Sequence, residues 1–253
     1  MSALISFRQV SVKLGGLSVL RDVSLEVEAG ETVVLLGRSG SGKTTALKLV
    51  NRLLLPSAGQ VVVEGTSTTA WDPIRLRRRA GYVMQEGGLF PHLTVAQNIG
   101  LVPRLLGWAA ADIRQRVDAL LVQVELPPDR FSERYPKHLS GGQRQRVGIA
   151  RALAADPPML LFDEPFGALD PVTRFELQRQ FLRLRRDYGK TSLFVTHDVR
   201  EALRLGTRIA LLANGGLELV ASPSEFLRAS SREVHTFLAG LDVIKKEGDH
   251  DIV

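Results

Sequence analysis

Thr32-Val33-Val34-Leu35-Leu36-Gly37-Arg38-Ser39-Gly40-Ser41-Gly42-Lys43-Thr44-Thr45 runs from a short apolar strand through a glycine-rich loop into a helix. Gly37 to Thr45 matches G-x-x-x-x-G-K-[ST] in full, in the strand, loop and helix setting that the motif requires. Glycines there let the backbone wrap closely around phosphates, so that successive N–H groups point inward. The helix beginning near Lys43 aims its positive end at the same charge. Lys43 is placed to neutralise the β- and γ-phosphates, and the Thr44 hydroxyl to ligate Mg²⁺. An ordinary Gly/Ser turn before a lysine would lack the flanking strand and helix patterns.

Downstream, Met159-Leu160-Leu161-Phe162-Asp163-Glu164 is an apolar run with no polar alternation, as expected of a strand buried on both faces of a parallel sheet. It closes on two carboxylates. At the carboxyl edge of such a sheet one acid can hold a metal and the next can orient an attacking water, which assigns Asp163 to the metal and Glu164 to the water. Without the upstream loop, the same two acids would read as a solvated turn.

Between these parts lie Leu139, Ser140, Gly141, Gly142 and Gln143, spelling LSGGQ. Ser140 occupies an N-cap position, Gly141 and Gly142 permit close backbone approach, and Val147, Ala150, Leu153 and Ala154 give the following helix one apolar face. In this order the three segments resemble the ATP-binding cassette (ABC) family, whose signature loop donates to the γ-phosphate held on a partner subunit. The resemblance covers residues 4 to about 240 and implies ATP as substrate and Mg²⁺ as cofactor. It extends to Gln85 after Gly81-Tyr82-Val83-Met84, to His197 after Thr191-Ser192-Leu193-Phe194-Val195-Thr196, and to Asp170 in Gly167-Ala168-Leu169-Asp170. Gln85 carries a donor and an acceptor and can contact both Mg²⁺ and water. His197 is suited to hydrogen-bond the γ-phosphate. Asp170 matches the loop that meets the opposite subunit. One position departs from the family pattern: Leu14 precedes Gly15-Gly16, where an aromatic residue commonly stacks on adenine.

The fold class expected is α/β: a P-loop NTPase core with a parallel sheet, an N-terminal antiparallel β-subdomain and an inserted α-helical subdomain carrying the signature loop. Residues 4 to 28 alternate around Gly15-Gly16, and Gln60 to Glu64 add a strand to that subdomain. From Thr94 to Glu125 the spacing of Ile113, Val117, Leu120, Leu121 and Val124 is helical, ending at Pro127-Pro128. Strands and helices alternate again from Asp156, with Asn214-Gly215-Gly216 as a hairpin turn and one or two short helices within Ser224 to Ala239. One ATPase domain over residues 1–240 is expected, its helical part at about 90–155, followed by a polar tail at 241–253.

The chain has 253 residues, 44% of them hydrophobic, enough for a substantial core. It has no cysteine, which excludes disulfides and thiol catalysis. Its net charge is +6, with basic clusters at Arg75 to Arg79 and Arg183 to Arg186 that most often form solvated helix faces. No apolar run approaches the ~20 residues that cross a bilayer, and Met1 to Arg8 does not resemble a secretion signal. The expectation is a peripheral protein on the cytoplasmic face of the inner or plasma membrane.

The chain holds one P-loop and one signature segment, so the resemblance implies a head-to-tail homodimer or ATPase heterodimer with each ATP between Lys43 of one subunit and Ser140 and Gly142 of the other. Gly87-Gly88-Leu89-Phe90-Pro91 is similar to the importer segment that receives a permease helix, with Leu89, Phe90 and Pro91 as its apolar lining. Val50 to Leu53, Leu101 to Trp108 and Asp163 to Asp170 look similar to ATPases of importers for glycine betaine, choline and related osmoprotectants. The partners implied are permease subunits and, through them, an external substrate-binding protein; nucleic acid is not expected. Another small solute such as an amino acid remains open. So does a soluble ABC ATPase acting on ribosomes or nucleic acid, for which the basic clusters would be the contact surface. Paired regulatory CBS modules, carried by some members, are not expected in so short a segment after residue 240. Because leucine covers a base without π-stacking, the phosphate chemistry is preserved while base discrimination weakens. Measured ATP and GTP affinities are expected to differ by less than about tenfold, and a gap of orders of magnitude would refute this reading of Leu14.

Overall fold

The protein, described from a computed structural model over residues 3–84 and 88–239, begins with a hairpin of β1 (Ala3–Leu14) and β2 (Leu17–Glu28). β3 (Thr32–Leu36) then leads through the glycine-rich loop into α1 (Lys43–Val50). β4 (Ala58–Val63), β5 (Thr66–Ser67) and α2 (Pro73–Arg78) precede β6 (Ala80–Val83). A helical stretch follows, made of α3 (Val95–Ile99), α4 (Leu101–Leu105), α5 (Ala110–Gln123), α6 (Pro128–Phe131) and α7 (Gly141–Leu153). β7 (Met159–Asp163), α8 (Pro171–Tyr188), β8 (Thr191–Thr196), α9 (Val199–Leu205) and β9 (Arg208–Ala213) alternate after it. β10 (Gly216–Ala221) turns back, and α10 (Pro223–Phe226) is followed by helical residues 232–239.

The strands form an antiparallel four-stranded sheet, ordered β2-β1-β4-β5, and a six-stranded sheet, ordered β10-β9-β3-β8-β7-β6. In the second sheet β9, β3, β8, β7 and β6 are parallel, and β10 is an antiparallel edge strand. The expected α/β architecture is therefore present. The parallel strands are buried because both faces are covered, and successive residues face opposite cores. Val34, Leu36, Leu160, Phe162 and Phe194 pack with the helical stretch, while Val33, Leu35, Met159, Leu161, Leu193 and Val195 pack with the first sheet and α1. Phe162, Phe166, Phe181 and Phe194 form an aromatic cluster beneath the carboxyl edge, with the Phe162 and Phe194 centroids 5.3 Å apart.

The helical stretch is tied to the rest by a buried arginine. Arg146 donates to the Val124 carbonyl and to Glu125 and Glu176, joining α7, the end of α5 and α8. The helical pattern expected from Thr94 to Glu125 is present as three helices, separated at Gly100 and at Gly107, which sits at φ +79°. β5 and α2 gave no periodic signal, being too short to display one. The turn after β9 puts Asn214 and Gly215 at φ 50° and 79°, the left-handed pair of a tight hairpin.

Register sets the site. Leu36 lies opposite Thr196, and Asp163 opposite Val195, so the loops carrying Gly37, Glu164 and His197 leave the sheet at one level.

Candidate functional site

The glycine-rich loop closes on its own lysine. Lys43 is 4% exposed, and its Nζ donates to the carbonyls of Gly37 (2.8 Å) and Arg38 (2.9 Å). Burial pushes its pKa below the ordinary lysine value, and the neighbouring Glu164 and Asp163 carboxylates partly restore it. Gly42, the N-cap of α1, has φ +99°, and a Cβ there would lie 2.5 Å from Leu20 Cδ2. A Cβ on Gly37 would lie 2.4 Å from the Leu212 carbonyl oxygen. The loop is thus pressed between β2 and the end of β9. The Ser41 hydroxyl is buried and has no partner among the described residues. Arg38, Ser39 and Gly40 form the exposed rim, where Arg38 pairs with Glu233 at 3.8 Å, and Thr45 is half-buried in the first turn of α1. A buried cation facing neutral carbonyls, an orphaned hydroxyl and a helix N-terminus fit an anionic phosphate group.

Thr44 Oγ1 donates to Asp163 Oδ1 at 2.8 Å, and Tyr82 Oη donates to Asp163 Oδ2 at 3.0 Å. Burial and the adjacent Asp163 push the Tyr82 phenol well above its ordinary pKa, so it stays a donor. The described residues contain no cluster of three or more His, Cys, Asp or Glu able to hold a metal by themselves. Thr44 and Asp163 fit Mg²⁺ instead, which keeps several waters and binds through one or two protein oxygens plus substrate phosphates.

Glu164 has φ 46°, a left-handed backbone rare for a non-glycine residue, and its N–H donates to the Val195 carbonyl at 3.1 Å. Its Oε2 lies 3.1 Å from His197 Nδ1. The two carboxylates at the end of β7 therefore take different hydrogen-bond partners, Asp163 pairing with Thr44 and Tyr82 and Glu164 with His197, while both lie near Lys43. Gln85 lies outside the described residues.

Leu139 to Gln143 form a second group. Leu139 is buried, and Ser140 caps α7 in a reciprocal box: its Oγ accepts from the Gln143 N–H at 3.2 Å, while Gln143 Oε1 accepts from the Ser140 N–H at 3.0 Å. Among the described residues the Ser140 O–H donates to no partner. Gly141 is half-buried near Leu169, and a Cβ on Gly142 would lie 2.4 Å from Thr173 Cγ2. Asp170 caps α8 by accepting from the Thr173 N–H, and its hydrogen bonds with Thr173 hold its pKa below the ordinary value. Among the described residues no hydrogen bond or ion pair joins this group to the glycine-rich loop. Leu14 ends β1, 43% exposed, beside the hairpin turn.

Sequence reasoning did not identify Tyr82, the Glu164–His197 contact or the capping role of Gln143. Ser-x-x-Gln before the helix was a legible capping box. Of the expected apolar lining, Phe90 borders a cleft of about 270 Å³ with Met84, Gly88, Leu101, Val102 and Arg151. Leu89 packs inward against the main core.

The family model described as ABC transporter matches residues 20–167, a span running from β2 through the glycine-rich loop and LSGGQ to just past Glu164. The chain belongs to the ABC transporter family. As a member of that family it is similar to the osmoprotectant import ATP-binding protein OsmV of Salmonella typhimurium (strain LT2), with 49% identity covering 89% of this chain and 59% of that protein. It is also similar to the glycine betaine/carnitine/choline transport ATP-binding protein OpuCA of Bacillus subtilis (strain 168), with 45% identity covering 97% of this chain and 65% of that protein. The chain thus spans about three fifths of the length of these curated relatives. Among solved structures, a dimeric ATP-binding cassette in a post-hydrolysis state, bound to ADP and Pi, superposes with a TM-score of 0.76 at 35% identity, covering 87% of this chain and 98% of that one.

Tyr82→Phe is expected to change folding stability by about 1 kcal/mol or less while raising several-fold the Mg²⁺ concentration needed for half-maximal nucleotide binding. Titrating Mg²⁺ against a fluorescent ATP analogue measures this, and an unchanged midpoint would remove Tyr82 from the site.

Proposed function

We propose that this chain is the ATP-hydrolysing subunit of an ABC importer, working as a head-to-tail dimer that drives a membrane permease for glycine betaine- or choline-type osmoprotectants. The observation that carries the reading is the meeting, at one sheet edge, of buried Lys43, the Thr44–Asp163 pair and the Glu164–His197 pair. Residues 37–45 cradle the phosphates and Lys43 neutralises their charge. Thr44, Asp163 and, beyond the described residues, Gln85 would hold Mg²⁺, which would supply charge neutralisation for the phosphates. Glu164 orients the attacking water, and His197 donates to the γ-phosphate from the same edge. Leu14 covers the base.

The signature segment and Asp170 act in trans. Leu139 anchors that segment, Gln143 completes its cap, and the free Ser140 O–H and the glycine N–H groups at the start of α7 face the partner's nucleotide. The dimeric arrangement of the similar cassette supports this. One domain spanning residues 1–240, with a helical part at about 90–155, carries both groups. The permease contact is the cleft beside Phe90, whose apolar wall suits a short helix. No described helix is long and apolar enough to cross a membrane, and the subunit is read as peripheral, on the cytoplasmic face. The osmoprotectant assignment is supported by its similarity, at 45–49% identity, to the osmoprotectant and glycine betaine/carnitine/choline transport ATP-binding proteins.

The basic clusters support this reading over one of nucleic-acid binding. Arg77 donates to the Asn51 and Arg52 carbonyls, Arg79 pairs with Glu64, Arg183 with Glu125 and Arg186 with Asp187, while Arg185 donates to the Leu205 carbonyl. Arg77, Arg79, Arg183 and Arg185 thus tie separate elements of the fold together.

Glu164→Gln is expected to abolish turnover and accumulate an ATP-bound dimer, visible by size-exclusion chromatography with Mg²⁺-ATP. Wild-type turnover in that variant would take Glu164 out of the mechanism. Purification of the tagged chain from native membranes in mild detergent should recover a polytopic permease and a substrate receptor by mass spectrometry. Recovery of ribosomal or nucleic-acid-associated partners would overturn the transport role.

A further inference from the structure

His197 is 59% exposed at its side chain, and its ring makes a hydrogen bond only to Glu164 among the described residues. The backbone on either side of it is fixed far more firmly. Thr196, 2% exposed at the end of β8, donates its hydroxyl to Glu201 Oε2 at 2.6 Å and accepts from the Asp198 N–H at 3.0 Å. One hydroxyl therefore bridges the residue before His197 and the residue after it. Glu201, 4% exposed in the first turn of α9, also accepts from Gln178 Nε2 of α8 at 3.3 Å. Gln178 in turn accepts from Arg204 at 3.4 Å, and Arg174, one turn earlier on α8, pairs with Asp198 at 3.7 Å.

A buried carboxylate is unfavourable unless its oxygens are hydrogen-bonded, and burial pushes the Glu201 pKa above its ordinary value. Capping α9 does not require that burden, because Asp198 already caps it by accepting from the Arg200 N–H at 2.8 Å. In a direct capping box the third-position glutamate would bond the N-cap N–H. Here that N–H goes to Thr196 Oγ1 and Glu201 goes to the same hydroxyl, so the box is relayed through the residue adjoining His197. α8 also carries Thr173, the side chain that a Cβ on Gly142 would strike, which makes the relay contiguous with the signature segment.

We propose that Thr196 and Glu201 are positioning residues that set His197 against Glu164 and fix that pair to α8. The proposal rests on the reading of His197 as part of the hydrolytic site, and the experiment separates the two. Steady-state ATP hydrolysis and ATP affinity are measured for the full chain carrying Thr196→Val, Thr196→Ser, Glu201→Gln and His197→Ala, and for Thr196→Val combined with His197→Ala. Thr196→Val and Glu201→Gln are expected to lower kcat at least about tenfold with ATP affinity changed less than about twofold, and Thr196→Ser, which keeps the hydroxyl, to restore most of kcat. In the His197→Ala background, Thr196→Val is expected to add no further loss, because both changes remove one function. A full additional loss there, or wild-type kcat in Thr196→Val while His197→Ala is inactive, would overturn the positioning role. Wild-type kcat in His197→Ala would instead overturn the underlying reading of His197. The ¹H–¹⁵N signals of the His197 ring give a readout independent of turnover. They should shift in Thr196→Val and Glu201→Gln but not in Thr196→Ser, and unshifted signals in the first two would count against the proposal.

Discussion

The ladder that holds β3, β8 and β7 parallel and in fixed register decides where three strands end, and the glycine-rich loop, Asp163, Glu164 and His197 hang from those ends. The ladder is specified by hydrophobicity on both faces. Val33 and Leu35 belong to one core and Val34 and Leu36 to the other, so a slip by one residue would exchange the two sets and leave each core mispacked. Beneath the edge, the Phe162–Phe194 contact pins β7 to β8, where Glu164, just past the end of one strand, meets His197, just past the end of the other. Small displacements there would separate groups that now lie about 3 Å apart.

On that frame the polar groups are arranged in advance of any ligand. Lys43 is buried and held by the ring it closes with the Gly37 and Arg38 carbonyls, and Asp163 is held from two sides by Thr44 and Tyr82. Glu164 takes a left-handed backbone, bonded through its N–H to the Val195 carbonyl, and its carboxylate meets His197 rather than the Thr44–Tyr82 partners of Asp163. Oriented groups of this kind need little rearrangement when charge develops on a substrate, which is the general source of electrostatic catalysis. The second group of residues is built differently. Gly142 is pressed on Thr173 and Ser140 and Gln143 cap α7, so the signature segment is a rigid helix start presented outward.

Much of this was legible in the sequence because the relevant signals are local. The unbroken apolar runs ending in Leu36, Asp163 and Thr196 gave the buried strands, and the spacing of glycines before Lys43 gave the loop. Asn214-Gly215-Gly216 gave the edge hairpin, since only residues tolerant of positive φ fit it. What escaped were features too short for periodicity, such as β5 and α2, and the breaks at Gly100 and Gly107 that divide one amphipathic pattern into three helices. Leu89 was expected to line a surface and packs inward, because an apolar residue beside a groove satisfies the same pattern from either side.

By itself, the order of residues determined the kinds of groups available and which of them neighbour one another along the chain: the lysine after its glycines, two acids after a strand, a serine before a capped helix. Hydrogen-bonding atoms and backbone permissiveness are properties of single residues and short runs, so they can be read without a fold. Only the tertiary structure decided that Tyr82 holds Asp163, that Glu164 turns to His197, and that Thr196 and Glu201 clamp the chain around that histidine. Those pairs come from different strands and helices. Their meeting is set by sheet register and core packing, which depend on the whole chain at once.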